Sequence, residues 1–260
     1  MTAPSFFIDI DGVLYGGSAP VEQGPYVLQY LRDRGFPFLL VTNTSRMNRE
    51  QIQNKLVQLG YLIDGSEIFP VTLAASEFLR SRHGKARCFL IGEDSLAETL
   101  TSYGHSVSRE EAPADAVVIG QSKWANFGEI DIARRLVIGG AKVIALHRDP
   151  TWPDAEIIRI GLGPVVAALE SAIDDTISII GKPDPYFFRA AIDYAGFELR
   201  STIMIGDSIQ SDILGAIRFG LKNILVGSGT HPAGPTPDGC TAELRSIAAL
   251  PDWCEEQFPR

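Results

Sequence analysis

The stretch "SFFIDIDGVLYGG", residues 5–17, decides the fold and indicates where a functional site lies. A short apolar run ends in two carboxylates, Asp9 and Asp11, which only Ile10 separates. Alternate side chains of an extended strand point the same way, so both carboxylates lean into one small volume. Like charges that close repel each other, and each costs desolvation energy unless a cation lies between them. The pair therefore indicates a metal ion or a positive side chain at the end of a buried strand.

The composition is that of an ordinary globular protein. The 260 residues are 45% hydrophobic and 21% charged, enough for one large domain or two modest ones. With 23 basic and 32 acidic residues the net charge is −9, which disfavours nucleic-acid binding. No apolar run approaches the roughly 18 residues of a membrane span, and the N-terminus lacks the basic segment of a signal peptide. Three widely spaced cysteines indicate free thiols in a reducing compartment, so we expect a cytoplasmic protein.

Strands and helices are predicted to alternate in both outer parts of the chain. Near-continuous apolar strands between helices predict a parallel sheet that is covered on both faces, which is a doubly wound α/β fold. Residues 71–175 show a β/α rhythm of their own and are numerous enough for a small second α/β domain. We therefore predict a discontinuous core domain, 1–70 and 176–260, with 71–175 inserted into it. The core strands are predicted at 6–10, 36–41, 176–180, 202–205 and 223–226.

Polar residues follow the predicted core strands at the point where each strand ends. In open parallel sheets, ligands bind outside the carboxyl ends of the strands. Each such residue alone would be an ordinary solvated side chain, but the ordered set indicates a single site. The set comprises Asp9 and Asp11, Thr42 and Asn43, Lys182, and Asp207 and Asp212.

The segments "DIDGV", "TN", "GKPDP" and "GDSIQSD" resemble the four motifs of the haloacid dehalogenase superfamily of aspartate-nucleophile phosphohydrolases. The phosphatase branch of the superfamily is the most similar. The dehalogenases of the superfamily lack an acid at the position of Asp11, and its transport ATPases carry threonine there. The resemblance implies a Rossmann-like core with an inserted cap domain, and a phosphatase that hydrolyses small-molecule phosphate monoesters. The interval between Asn43 and Lys182 leaves room for one inserted domain, and the resemblance implies that it is a type IIA cap, as in the 4-nitrophenylphosphatase, phosphoglycolate and pyridoxal-phosphate phosphatase group. A looser similarity is to phospholysine phosphohistidine inorganic pyrophosphate phosphatase.

The resemblance also implies roles for the acids. Asp9 would attack phosphorus and form an aspartyl-phosphate, and Asp11 would serve as general acid and then general base. The implied cofactor is Mg²⁺, held by the Asp9 carboxylate, the Asp11 main-chain carbonyl and Asp207. Asp212 would orient metal-bound waters or the motif lysine.

The remaining core positions are implied to hold the phosphoryl group. The Thr42 hydroxyl and the Asn43 backbone N–H would bind its oxygens, and Lys182 would neutralise the extra negative charge. Two alternatives stay open. A phosphoryl transferase or mutase would share every motif, and a receiver-like signalling module also places acids and a lysine around Mg²⁺.

One loop of the inserted segment is a candidate for substrate recognition. The stretch "LHRDPTWPD", 146–154, follows a predicted strand, and we expect His147, Asp149 and Trp152 to contact the leaving group. The alternative is an exposed polar turn. Further along, Gly161-x-Gly163 imitates a dinucleotide fingerprint, and we interpret it as the turn that returns the chain from the second domain.

The other expectations concern histidines and partners. The histidines at 83, 105 and 231 show no metal-binding spacing, and we expect them at the surface. The expected partners are a small phosphorylated metabolite and a second copy of the chain, forming a homodimer through the cap. Nucleic acid and membrane are not expected partners.

Overall fold

The computed structural model of the chain describes residues 3–154, 157–227 and 235–259. These residues divide into two compact units. The core unit comprises Met1–Thr42, Arg49–Phe69 and Lys182–Arg260, and the cap unit comprises Asn43–Asn48 and Pro70–Gly181. Within the described residues, no helix is long and apolar enough to cross a membrane.

Helices and strands alternate through both units. The helices are α1 Gly24–Asp33, α2 Arg49–Gln58, α3 Val71–His83, α4 Asp94–Ser102, α5 Phe127–Ile138, α6 Leu162–Glu170, α7 Pro185–Ala195, α8 Leu214–Phe219 and α9 Leu250–Gln257. The strands of the first third are β1 Ser5–Asp9, β2 Tyr15–Gly16, β3 Ala19–Pro20, β4 Phe38–Thr42, β5 Ile68–Pro70 and β6 Arg87–Ile91. They are followed by β7 Ser106–Ser108, β8 Ala116–Ile119, β9 Lys142–Ala145, β10 Thr151–Asp154, β11 Ile157–Ile160, β12 Ile177–Ile179, β13 Thr202–Gly206, β14 Lys222–Val226 and β15 Ala242–Leu244.

The core unit contains a six-stranded sheet in the order β15-β14-β13-β1-β4-β5. Strand β1 lies near its centre and pairs in parallel with β13 on one side and β4 on the other. Its residues Phe6, Phe7 and Ile8 are fully buried, because helices cover both faces of a sheet of this type. This arrangement confirms the predicted doubly wound α/β class.

The cap unit has a separate five-stranded sheet in the order β12-β9-β8-β6-β7, with every recorded pairing parallel. A two-stranded antiparallel hairpin, β10–β11, lies between β9 and β12 in the chain order. Strands β8 and β9 are almost entirely buried, which gives this unit an apolar core of its own. The inserted segment is therefore a smaller α/β unit, as predicted.

The structure corrects one predicted strand and two boundaries. The strand expected at 176–180 was assigned to the core, but β12 pairs with β9 of the cap sheet. The chain consequently returns to the core unit at Lys182, and not at residue 176 or at the Gly161-x-Gly163 turn. Residues 43–48 also belong to the cap unit, because their hydrogen bonds run to that unit.

The expectation for histidine 105 was wrong. His105 is only 3% exposed. Its Nδ1 accepts the Ala86 backbone N–H at 3.1 Å, and its Nε2 lies 3.1 Å from the Ser76 carbonyl. A neutral imidazole satisfies both bonds at once, so this ring is a structural element of the cap core. His83 is exposed as expected, and residue 231 lies outside the described residues.

Candidate active site of the core unit

The strand register places the polar residues of the core unit at one edge of its sheet. Asp9 is the last residue of β1 and lies opposite Val41, so Thr42 is the next residue along β4. On the other side Ile8 lies opposite Ile205, which brings Asp207 to the same edge just after β13. The buried apolar runs fix this register, because a slip by one residue would turn their side chains out of the core.

A buried ion-pair cluster forms at this edge. The Lys182 Nζ lies 2.6 Å from Asp9 Oδ1 and 2.7 Å from Asp212 Oδ1. The lysine is 2% exposed, Asp9 is 7% exposed and Asp212 is completely buried. Charges this deeply buried persist only when they are paired and hydrogen-bonded, and the short distances meet that condition.

Electrostatics of the cluster favour a further positive charge. Burial raises the pKa of Asp9 well above its ordinary value; Lys182 opposes this effect, and the Asp212 and Asp207 carboxylates add to it. Burial likewise raises the pKa of Asp212. Burial lowers the pKa of Lys182, but the two carboxylates outweigh burial and raise that pKa overall. Two of the three buried acids, Asp9 and Asp212, thus share the Lys182 ammonium group.

The donor set fits a divalent metal ion. Asp9, Asp207 and Asp212 each offer a carboxylate oxygen, and these atoms lie within 4.8 Å of one another. Oxygen donors with an excess of negative charge are what Mg²⁺ prefers. The core unit therefore contains an acidic group that could bind a metal ion, as the sequence predicted for this edge of the sheet.

Asp11 occupies a different environment from Asp9. It is partly exposed, and its Oδ1 accepts a 2.6 Å hydrogen bond from the Tyr15 hydroxyl. The buried Thr42 hydroxyl lies 3.5 Å from its other oxygen. Between Asp11 and Tyr15 the chain turns at Gly12, whose φ of 82° favours glycine. Asp9, the last residue of β1, is therefore the buried carboxyl, and Asp11, just beyond the strand, is the accessible one.

Tyr15 is a site residue that sequence reasoning missed. It begins the hairpin β2–β3, in which it pairs with Pro20. The signal was present in "DGVLYGG", because a glycine turn followed by a tyrosine and two glycines is typical of a tight hairpin. What the pattern does not reveal is that the ring folds back onto Asp11.

The Asp212 carboxylate is held in place by the backbone around it. Its Oδ2 accepts the Ser208 N–H at 3.1 Å, and the lysine bond fixes its other oxygen. Residue 206 has to be glycine, because a Cβ there would collide with the Asp212 carboxylate. The irregular turn Ile209–Ile213 then leads into α8. The chain thus carries this acid back toward the strand end it has just left.

The candidate residues of the inserted loop lie in the cap unit. His147 is 5% exposed, and its Nδ1 lies 3.0 Å from Asp149 Oδ2. Trp152 is 8% exposed and packs against the Arg46 guanidinium. The structure brings His147 and Asp149 together, whereas Trp152 contacts a different partner. Neither ring is exposed as a simple polar turn would require.

The two glycines that imitate a dinucleotide fingerprint have a packing role. A Cβ at Gly161 or Gly163 would collide with the backbone carbonyl of Asp149 or Arg148, respectively. The Gly161 N–H donates to Pro150 and the Gly163 N–H donates to Asp149. The glycines therefore let the start of α6 pack against the 147–152 loop.

Comparison with known proteins agrees with this geometry. Two family models of haloacid dehalogenase-like hydrolases match residues 6–106 and 179–252. The 5'-nucleotidase YutF of Bacillus subtilis is 25% identical over 252 residues, covering 97% of this chain and 98% of that protein. The dihydroxyacetone phosphatase of Corynebacterium glutamicum is 29% identical over 257 residues, covering 98% and 93%. The solved structure of a thermostable NPPase from Geobacillus stearothermophilus superposes with a TM-score of 0.87 at 28% identity, covering 95% of this chain and 97% of that one.

The chain belongs to the haloacid dehalogenase-like hydrolases. Within them it is an enzyme of the phosphatase group, which includes NagD and the nitrophenylphosphatases, as the motifs predicted. This membership decides against the receiver-like signalling module.

Proposed function

We propose that the enzyme is a Mg²⁺-dependent phosphatase that hydrolyses small-molecule phosphate monoesters through an aspartyl-phosphate on Asp9. The observation that carries the proposal is the buried Asp9 carboxylate, which Lys182 holds at 2.6 Å in a cluster of three acids. An accessible second acid, Asp11, lies two residues further along the chain. One acid is thus fixed for attack, and the other is placed where protons can reach it.

In the first step an oxygen of Asp9 attacks phosphorus, and the bond between phosphorus and the ester oxygen breaks. Asp11, in its acid form, donates its proton to that leaving oxygen, which departs as an alcohol. In the second step the Asp11 carboxylate takes a proton from water while the water oxygen attacks phosphorus. The bond from phosphorus to Asp9 then breaks, which releases phosphate and regenerates both acids.

The other residues of the core unit stabilise charge and position. Lys182 is already paired with Asp9, so it can offset the negative charge that gathers there when phosphate arrives. The Thr42 hydroxyl, at the last residue of β4, and the Asn43 backbone N–H, just after it, would hold phosphoryl oxygens. Asp9, Asp207 and the Asp11 carbonyl would hold Mg²⁺, with Asp212 orienting its waters. The bound ion would supply charge neutralisation of the phosphoryl oxygens.

The test compares two conservative variants on two esters. Asp9→Asn is expected to abolish both phosphate release and a trapped phospho-enzyme, because an amide cannot form the mixed anhydride. Asp11→Asn is expected to lose about 10²–10⁴-fold on an alkyl phosphate. It should lose less on 4-nitrophenyl phosphate, whose leaving group scarcely needs a proton. Full activity of Asp9→Asn, or an equal loss of activity by Asp11→Asn on both esters, would contradict the mechanism. Formation of a new phosphate ester with an added alcohol would favour a phosphoryl transferase.

We further propose that the cap loop contributes to binding of the leaving group through His147, Asp149 and Trp152. The proposal is supported by the 3.0 Å distance between His147 Nδ1 and Asp149 Oδ2 and by the burial of Trp152, because an ordered loop can present its side chains in a fixed arrangement. Asp149→Ala and Trp152→Ala are then expected to cost a large substrate about 1–3 kcal/mol in kcat/KM. A minimal ester such as methyl phosphate, too small to reach the loop, should be affected much less. A uniform loss on both substrates would assign the loop to folding.

We also propose a homodimer formed through the cap, with a phosphorylated metabolite as the other partner. Supporting this is the hairpin β10–β11, in which Ile158 is 77% exposed and Ile160 is 71% exposed. Light scattering should therefore show a dimer that Ile158→Asp converts to a monomer. Ile138→Asp, on an equally exposed isoleucine of α5, is the matched control. A monomeric wild-type protein would contradict the proposal.

A cytoplasmic location is proposed as well. Cys88 and Cys254 are buried free thiols, which suits a reducing compartment. Fractionation of cells that express the chain would test it, and recovery of the protein outside the cytoplasmic fraction would contradict it.

A further inference from the structure

The segment that follows Thr42 is anchored in the cap unit by its own polar groups. Ser45 is 1% exposed, and its Oγ accepts the Gln121 backbone N–H at 2.8 Å. The Ser45 carbonyl accepts a 3.3 Å hydrogen bond from the Ser95 hydroxyl. Residues 43–48 therefore belong to the cap unit, and these hydrogen bonds hold the backbone next to Arg46 in place.

Arg46 stacks on a buried indole. Its guanidinium carbon lies 3.9 Å from the centroid of the Trp152 ring, and the Lys123 ammonium lies 5.7 Å from the same centroid. A guanidinium that stacks on an aromatic face still presents its N–H donors around its edge. Among the described residues no carboxylate pairs with Arg46. In a chain of net charge −9, Arg46 is thus a positive side chain whose N–H donors have no carboxylate partner among the described residues.

Two buried polar atoms beside this stack lack hydrogen-bond partners among the described residues. They are Nε1 of Trp152, which is 8% exposed, and Oε1 of Gln121, which is 3% exposed. The Gln121 amide nitrogen reaches only the Ser122 and Ile160 carbonyls, at 3.4 and 3.5 Å. Trp152 belongs to the hairpin β10–β11, in which it lies opposite Arg159, and Gln121 approaches the same hairpin at the Ile160 carbonyl. Because unpaired buried polar groups are costly, they mark a place built to receive a polar ligand group.

Arg46 is close to the end of β4 in the sequence. It comes only four residues after Thr42, the last residue of that strand. This short connection is why we relate Arg46 to the substrate of the phosphatase and not to an independent ligand.

We propose that Arg46, stacked on Trp152, recognises a second anionic group, a carboxylate or a phosphate, on the leaving part of the substrate. The proposal rests on the phosphatase function proposed above. The guanidinium fork would bind two oxygens of that group, with the Trp152 N–H adding a donor. The enzyme then prefers phosphate esters that carry this second anion over neutral esters of the same size.

The kinetic test uses matched pairs of esters. Glycerol 3-phosphate and 3-phosphoglycerate differ only in a hydroxymethyl group against a carboxylate, and 1,3-propanediol monophosphate and bisphosphate differ in the second phosphate. Wild-type kcat/KM is expected to favour one anionic ester over its neutral partner by about 10–100-fold, and the favoured pair identifies the anion. Arg46→Gln should remove that preference, chiefly by raising KM for the anionic ester, and should change the neutral ester less than about 3-fold.

The matched control is Arg82→Gln. Arg82 is also a cap arginine with its guanidinium over an aromatic ring, 4.5 Å from the Phe78 centroid, so this variant removes the same charge and the same type of contact. It should keep the wild-type preference. A wild-type preference for neutral esters, or an equal loss by Arg46→Gln on both members of a pair, would overturn the proposal.

A binding measurement separates this inference from the proposed function. In an Asp9→Asn protein that also carries Trp124→Phe and Trp253→Phe, Trp152 is the remaining indole. Its emission should change on titration with the favoured anionic ester at about 10-fold lower concentration than with the neutral one, and Arg46→Gln should abolish this difference. Selective binding without hydrolysis of any ester by the wild type would refute only the proposed function. Hydrolysis without selective binding would refute only the role of Arg46, and absence of both would refute both.

Discussion

Replacing Lys182 with methionine removes the positive charge that compensates two buried carboxylates while it keeps most of the apolar stem. The ammonium lies 2.6 Å from Asp9 and 2.7 Å from Asp212, and all three side chains are at most 10% exposed. Removing one partner of a buried ion pair costs about 3–5 kcal/mol, because the remaining charge has neither water nor a counterion. We expect a loss of that size in the free energy of unfolding of the core unit, measured in chelator.

The control is the same substitution in an exposed ion pair. Lys142 Nζ lies 2.8 Å from Asp175 Oδ2, but the two side chains are 65% and 34% exposed. Water screens such a pair, so Lys142→Met should cost at most about 1 kcal/mol. The contrast therefore isolates burial, since the substitution and the ion-pair distance are nearly the same.

The assay for the core unit is urea denaturation followed by the fluorescence of Trp253 on α9, in a protein that carries Trp124→Phe and Trp152→Phe. Lys142 and Asp175 lie in the cap unit, so the control is followed by the fluorescence of Trp124 and Trp152 in a protein that carries Trp253→Phe. Phosphate release should fall in parallel by about 10²-fold or more, the size of effect seen when a preorganised charge stabiliser is lost. Equal stability losses for Lys182→Met and Lys142→Met would refute the electrostatic reasoning.

Three further predictions concern positioning, reactivity and the metal. Tyr15→Phe removes the hydrogen bond that orients Asp11 and should lower kcat by about 5–30-fold, the equivalent of 1–2 kcal/mol, with little change in the far-ultraviolet circular dichroism spectrum. Burial raises the pKa of Cys88 and of Cys254 to about 12, so both stay protonated at pH 8. Cys240, which is half-buried, should therefore be alkylated first, as peptide mass spectrometry would show. Replacing Mg²⁺ with Ca²⁺ should inhibit phosphate release, because the larger ion adopts looser coordination; undiminished turnover would count against a magnesium site.

The amino-acid sequence determined the local elements of this protein because their signals are local. Apolar runs of strand length predicted β1, β13 and β14 to within one residue at each end. The order of polar residues after core strands also predicted that Asp9 and Asp207 belong to one site, which needed only the rule that parallel strands present their carboxyl ends at one edge. Lys182 was predicted there as well, but β12, which precedes it, belongs to the cap sheet, so that rule does not explain its position.

Tertiary structure alone decided which partner each element takes. The sequence of β12 is an apolar run that would suit either sheet, and only its hydrogen bonds to β9 assign it to the cap. His105 looks like a surface residue until distant carbonyl and amide groups enclose it. The stack of Arg46 on Trp152 joins residues more than a hundred positions apart. Such contacts depend on how the whole chain closes on itself, and no periodicity within a short window of sequence encodes that closure.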